Sequence, residues 1–332
     1  MFATTDIKRI EREYEYKRNE ANRLFLQTKE NIYKNYPRLY ELDCEIKKIG
    51  IETAKLSLSS NSSQKEAAQQ KLKENLKKFK IEKESIIQKY HIQFTPAYSC
   101  LKCNDTGYIQ TSEGTSMCSC MKQKLINEAY HNSNMANLKN ESFAQLNLAL
   151  YSTDKNPSLY QSNLSPQENI SKIISIAKDF ISHFEEIEQK NLLFTGTTGT
   201  GKTFLSGAIA NEVLKNGYTV LYQTAPILLD TAFEYKYNKD SSNRSLYDNI
   251  FHVNLLIIDD LGTENLTSAK FSELFTIINA RLIKPNTKTI ISTNLSLEDL
   301  SKAYDDRLLS RFIGNYSICR FYGNDIRLNR KK

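Results

Sequence analysis

The sequence predicts an α/β protein: a five-stranded parallel sheet with helices on both faces, preceded by a long helical region and a small zinc-binding element. Three observations predict it. From about residue 167 onward, five apolar runs alternate with helix-length segments, and a strand, helix, strand rhythm builds parallel sheets because each crossover must return to the same end of the sheet. Residues 5–93 hold a single glycine, Gly50, and a single proline, Pro37, among many Glu, Lys, Gln, Leu and Ile, which is helix composition. Four of the six cysteines fall between residues 100 and 120.

The 332 residues give room for two or three domains. With 40% hydrophobic and 25% charged residues the composition is that of a globular protein. No apolar run approaches the roughly 18 residues of a membrane span, and the opening MFATTDIKRIEREYEYKRNE is too charged for a secretory signal. The expectation is a soluble, cytoplasmic protein. The net charge of +7 lies mostly in the first 130 residues, which hold 23 Lys and Arg against 17 Asp and Glu. Such a balance permits contact with a nucleic-acid backbone, and it equally suits a solvated helix face.

The helical region is expected over residues 1–95. Leu72, Leu76, Phe79, Ile86, Ile87 and Tyr90 form an apolar stripe that another helix or a partner must cover. SLSSNSSQ, residues 57–64, reads as a break between two long helices, because Ser and Asn side chains compete with helix hydrogen bonds. A helical hairpin or short coiled coil follows.

Residues 96–130 form the cysteine element. Cys100 and Cys103 make a CxxC pair, and Cys118 and Cys120 a CxC pair. Two thiolate pairs joined by a short turn can close on one tetrahedral Zn2+ with no open position, a structural rather than catalytic site; unrelated cysteines or a redox dithiol are the alternatives. Cys44 and Cys319 are expected to be buried packing residues. Residues 131–166, rich in Asn, Ser and Pro, are expected as a linker.

The strand runs are NLLFTG (191–196), YTVLYQT (218–224), NLLIIDDLG (254–262), KTIISTN (288–294) and SICRFYG (317–323). The first runs into GTTGTGKT, which fits GxxxxGK(S/T) in full and opens a helix. Gly196, Thr197, Thr198, Gly199, Thr200 and Gly201 then turn backbone N–H groups toward the phosphates of ATP, Lys202 reaches the β and γ phosphates, and Thr203 offers its hydroxyl to Mg2+. The third run ends in two carboxylates. Asp259 is placed to hold Mg2+ and Asp260 to orient or deprotonate the attacking water, since charges at the end of a core strand are costly unless a cation meets them. Asn294, ending the fourth run, stands beside the same crevice and can hold that water, or it simply caps the next helix. Nothing after IIDDLG supplies the acceptor pocket of a small-molecule kinase.

This order of motifs, GTTGTGKT, IIDDLG, STN and DDRLLSRF, resembles AAA+ ATPases of the bacterial helicase-loader group, the DnaC/DnaI type, and is also close to the IstB transposition helper ATPases. CLKCNDTGY with CSC resembles the zinc element that precedes the ATPase in DnaI-like loaders, and ESFAQLNLALYS their short linker segment. The resemblance spans roughly residues 98–330. It implies an AAA+ domain over 167–332 without a C-terminal lid, an ATP-dependent homo-oligomer, and three arginine roles. Arg311 is similar to the arginine finger that reaches a neighbouring subunit's γ-phosphate, with Arg307 its rival, and Arg327 resembles a sensor-2 arginine. The implied function is ATP-dependent loading of the replicative hexameric DNA helicase, gripped through the N-terminal part, with single-stranded DNA contacted by the ATPase. An IstB-like transposition helper, or a nucleotide-switched adaptor with little turnover, is the alternative.

Overall fold

The computed structural model describes residues 4–58, 63–112, 114–129, 141–238 and 244–329. Its contacts divide the chain into two units, residues 11–109 and residues 1–10 with 110–332.

The first unit is built on helices α1 (Thr4–Asn35), α2 (Pro37–Leu58) and α3 (Ser63–Lys89). Where two helices were expected there are three, because Pro37 occupies the first position of α2, where its missing N–H costs nothing and its ring stops α1 from continuing. Within the expected break, α2 ends at Leu58 and α3 begins at Ser63; residues 59–62 lie outside the described residues. The stripe on α3 meets α2, yet Leu72, Leu76, Phe79, Ile86 and Ile87 are only half-buried and Tyr90 is exposed. Among the buried charges of the unit is Asp43, which accepts hydrogen bonds from the Tyr33 hydroxyl and the Lys83 ammonium. Cys44, expected to be buried, is half-exposed.

In the second unit, β1 (Tyr108–Thr111), which spans the division, pairs with β2 (Gly114–Met117), and α4 (Ser119–Ala129) follows. After the short helix α5 (Pro157–Tyr160) come α6 (Pro166–Ser182), β3 (Asn191–Gly196), α7 (Lys202–Lys215), β4 (Val220–Thr224), α8 (Ala225–Asn238), α9 (Arg244–His252) and β5 (Leu255–Leu261). The chain continues through α10 (Ser268–Ile283), β6 (Lys288–Thr293), α11 (Leu297–Tyr304), α12 (Asp306–Asn315), β7 (Tyr316–Phe321) and α13 (Ile326–Asn329).

The five expected runs are β3 to β7, and they form one parallel sheet in the order β4-β5-β6-β3-β7. Helices cover both faces, so β3 to β6 bury successive residues instead of alternate ones, while the edge strand β7 exposes Arg320. Leu193, Leu221, Ile258 and Ile291 face Leu228 of α8, Ile277 of α10 and Phe312 of α12. Leu192, Phe194, Tyr222 and Ile257 face Ile173 of α6 and Ile209 of α7. Helix α6 starts with a reciprocal cap, the Ser165 hydroxyl accepting from Glu168 N and the Glu168 carboxylate from Ser165 N. Within the expected linker, Phe143, Leu146 and Leu150 pack on the α6/α7 face and Tyr151 is buried there; residues 131–140 lie outside the described residues. Cys319 is buried as expected.

Two polar devices complete the sheet. Strand β4 is an edge, and the Gln123 side chain of α4 closes it by donating to Val220 O at 2.8 Å and accepting from Val220 N at 2.7 Å. Arg281 of α10 is 2% exposed and donates to the carbonyls of Ile250 (2.8 Å), Val253 (3.1 Å) and Lys288 (2.7 Å) and to Thr289 Oγ1 (3.0 Å). Burial lowers its pKa to about 9, so its charge is kept by the carbonyl dipoles around it. Removing it strands those acceptors, each worth roughly 1–3 kcal/mol when left unpaired. Arg281→Ala is therefore expected to lower the unfolding free energy by about 3 kcal/mol or more in urea titrations followed by far-UV circular dichroism. Arg281→Lys should recover only part of it, because one ammonium cannot reach all four acceptors.

Candidate nucleotide site

The loop after β3 is shaped from outside as well as by its own glycines. Gly196 has φ +130°, and a Cβ there would stand 1.9 Å from the Phe321 carbonyl oxygen of β7. At Gly199, φ +75°, a Cβ would stand 2.1 Å from the Asp325 carboxyl carbon, and Ile326 N donates to Gly199 O at 2.9 Å. Only glycine allows both approaches. Thr200 is buried, its hydroxyl donating to Thr197 O at 2.8 Å and its carbonyl accepting from the Tyr151 hydroxyl at 3.1 Å. Gly201 caps α7, while Thr197, Thr198 and Thr203 are exposed at the mouth. The arrangement is a phosphate cradle at a helix N-terminus.

Lys202 is 5% exposed and donates to Gly196 O (2.6 Å), Thr197 O (2.8 Å) and Asn294 Oδ1 (2.8 Å). Burial pushes its ammonium down to about 8, with Asp260 and Asp259 acting against the shift and Arg327 adding to it. The sheet order explains the contact with Asn294: β6 lies between β3 and β5, so the end of β6 is beside the loop.

Asp259 is 2% exposed and accepts from the Ser292 hydroxyl, from the Tyr222 hydroxyl at 2.8 Å and from Thr203 Oγ1 at 3.4 Å. An irregularity between Ile258 and Leu261 breaks the β5/β6 register at this point, and Asp260 has φ +55°. Its backbone N–H donates to Ser292 Oγ at 3.0 Å. Burial first, then the charge of Asp259, raises the Asp260 pKa, which moves it toward the range of a general base. The donor set fits Mg2+ held by Thr203 and Asp259, hard oxygen ligands beside a phosphate loop.

Ser292 and Tyr222 are the members that sequence reasoning missed. Ser292 stands in the quoted STN, but its duty follows from the pairing of β6 with β5, and Tyr222 carries no signal in an apolar strand. Asp325 was missed as well. It takes both ends of the Arg327 fork (Nε at 2.9 Å, Nη2 at 2.6 Å) while lying against Gly199. The structure thus brings Gly196 to Thr203, Asp259, Asp260, Asn294 and Arg327 around one crevice. Arg307 and Arg311 contact other groups: Arg307 pairs with Asp305 at 2.9 Å, and Arg311 Nε donates to Asn279 Oδ1 at 3.1 Å.

The sulfur atoms of Cys100, Cys103, Cys118 and Cys120 all lie within 4.8 Å of one another. A tetrahedral zinc with Zn–S bonds of about 2.3 Å sets its sulfurs about 3.8 Å apart, so the cluster fits that ion. Asp105 shapes the first pair, its carboxylate accepting from Ser99 N and Cys100 N at 2.8 Å each. Among the described residues no helix is long and apolar enough to cross a membrane.

A parallel sheet in this order, a phosphate loop between β3 and α7, and an acid pair at the end of β5 define a P-loop ATPase of the AAA+ class. Residues 111–332 match the sequence pattern of the IstB-like ATP binding proteins, and the chain belongs to that family. The replicative helicase loader DnaC of Escherichia coli is 30% identical over 146 residues, 43% of this chain and 58% of that protein. A putative insertion sequence ATP-binding protein of Sinorhizobium fredii is 28% identical over 147 residues, again 43% of this chain and 58% of that protein. The chain therefore spans less than two-thirds of the length of these relatives. The crystal structure of DnaI aligns with a TM-score of 0.45 at 24% identity, covering 57% of this chain and 93% of that one.

Lys202 generates a pH dependence with a defined sign. Its ammonium is charged below about 8 and is the form that phosphates favour, so ATP affinity should fall as pH rises between about 7 and 9. Binding in that window should take up a proton, measured by calorimetry in buffers of different ionisation enthalpy. Lys202→Ala should lose most of the affinity together with the proton uptake, and a flat profile in the wild type would contradict the assignment.

The cysteine cluster is tested by metal analysis. About one zinc per chain is expected; Cys103→Ser and Cys118→Ser should abolish it, and Cys44→Ser and Cys319→Ser should leave it in place. A disulfide in the purified protein, with thiols appearing only after reduction, would favour the redox alternative.

Proposed function

We propose that the protein is an ATP-dependent loader of a replicative DNA helicase. The helical region of residues 1–95 and the zinc element grip the hexameric helicase. The AAA+ domain assembles as an ATP-dependent homo-oligomer and contacts single-stranded DNA. The observation that carries this reading is the 30% identity with a replicative helicase loader over 146 residues. A separate helical unit whose apolar stripe stays half-covered supports the partner-binding role.

In this reading the chain's residues divide the work. Lys202 and the loop amides bind and orient the triphosphate, and Thr203 and Asp259 hold Mg2+, which supplies charge neutralisation at the phosphates. Asp260, its pKa raised, accepts the proton of the attacking water, and Asn294 orients that water. Arg327 leaves Asp325 for the γ-phosphate of its own site. Arg311 serves the site of a neighbour, where its charge stabilises the transferring phosphoryl group.

The match to IstB-like proteins favours a second reading, a transposition helper that binds duplex DNA and a transposase. One experiment separates the two. The full chain mixed with the replicative helicase of its own source is expected to form a complex whose mass, by light scattering, changes between ATP and ADP. Absence of any complex, with tight ATP-dependent binding to duplex DNA, would replace the loader with the helper.

A further inference from the structure

Helix α10 is fixed to the domain by two buried charged groups. Arg281 binds the carbonyls described above, and Glu273, 1% exposed, accepts from Lys236 and from the Tyr247 hydroxyl at 2.6 Å each. A helix held at both sites cannot roll, so the residues on its remaining surface keep fixed positions. Two of these, Phe275 and Asn279, stand one turn apart and face two arginines that also stand one turn apart on α12. The guanidinium carbons of Arg307 and Arg311 lie 5.4 and 5.2 Å from the Phe275 ring centre. Asn279 Oδ1 accepts from Arg311 Nε at 3.1 Å.

The two arginines are not equivalent on this platform. Arg307 already donates to Asp305 through its backbone N–H (2.8 Å), Nε (3.0 Å) and Nη2 (2.9 Å), so its charge is met by a carboxylate. The partners of Arg311 are a neutral amide and a ring face, and among the described residues its two terminal nitrogens make no hydrogen bond. An amide on Nε sets the plane of the guanidinium without neutralising it, and the ring stiffens the stem side. A fork held this way presents its donors in the geometry that phosphate oxygens require.

We infer that Phe275 and Asn279 are positioning residues that hold Arg311, and not Arg307, as the arginine presented to a second copy of this chain. The inference rests on the assembled ATPase proposed above and deepens it. Neither residue touches nucleotide; each acts through Arg311.

The test is steady-state ATP hydrolysis by the full chain under assembling conditions, with nucleotide affinity and melting temperature measured alongside. Asn279→Ala and Phe275→Leu should bind ATP as the wild type does and melt at nearly the same temperature, with kcat lowered about 5- to 30-fold and KM unchanged. Phe275→Tyr, which restores the ring face, should restore kcat. Arg311→Ala should lower kcat by roughly 10³ or more, and Arg307→Ala by much less. Mixing Asn279→Ala with Asp260→Asn chains should recover activity, because some interfaces then join an intact Asp260 to an intact platform. If Asn279→Ala and Phe275→Leu keep full kcat while Arg311→Ala does not, the positioning inference is overturned and the arginine's trans role stands. If Arg311→Ala keeps full kcat, the assembled-site reading beneath it fails. Variants whose kcat falls but that show no recovery on mixing would place the defect within one chain and overturn the inference too.

Discussion

The buried carboxylate of Asp259 is the constraint on which the catalytic end of the sheet depends. A charge at 2% exposure is costly unless several groups meet it. Its hydrogen-bond partners are hydroxyls of Ser292 on β6, Tyr222 on β4 and Thr203 on α7. Three neighbouring elements are therefore tied to β5 at one point, and the strand ends that form the crevice are brought into a single arrangement. Hydroxyls satisfy lone pairs without cancelling charge, so the same cluster that makes the carboxylate tolerable leaves it attractive to a divalent cation. In the proposed mechanism, stability and Mg2+ binding fall on this one group.

The two ends of the ATPase unit obey different rules. At the nucleotide crevice the contacts are short-range and polar, and Asp325, Tyr151 and the Phe321 carbonyl hold the loop from outside. On the far side of the sheet the edge of β4 is closed by Gln123, whose amide offers one donor and one acceptor and so completes a ladder position as a strand would. Cys118 and Cys120 lie at the start of its helix, α4. The second cysteine pair is thus continuous in the chain with the residue that closes the sheet's edge.

What was legible in the sequence followed from patterns that are local. Strands covered on both faces appear as unbroken apolar runs, so Leu255–Ile258 and the other four strands could be placed within a residue or two. Phosphate-loop residues were legible because their spacing is the function. Contacts made across distant registers left no trace: the irregularity after Ile258 depends on β6, thirty residues on, and the Tyr222 hydroxyl looks like any strand aromatic. The break at Pro37 carries a weaker sequence signal than the serine-rich stretch, because a single proline is also tolerated in the first turn of a helix. Arg307 and Arg311 share a helix face in the sequence, and what separates them is tertiary: Arg307 pairs with Asp305 and Arg311 is held by Asn279.

Asp260 carries a further consequence. At φ +55° any side chain is held at some cost relative to glycine, Asn and Asp least of all, and here burial beside Asp259 adds the cost of a crowded carboxylate. Selection for thermal robustness alone would favour glycine or asparagine at this position, and in the proposed mechanism selection for turnover favours the acid. The two pressures act on the same residue in opposite directions. On the proposed mechanism, a lineage that abandoned hydrolysis while keeping nucleotide as a folding ligand would be free to relax here first.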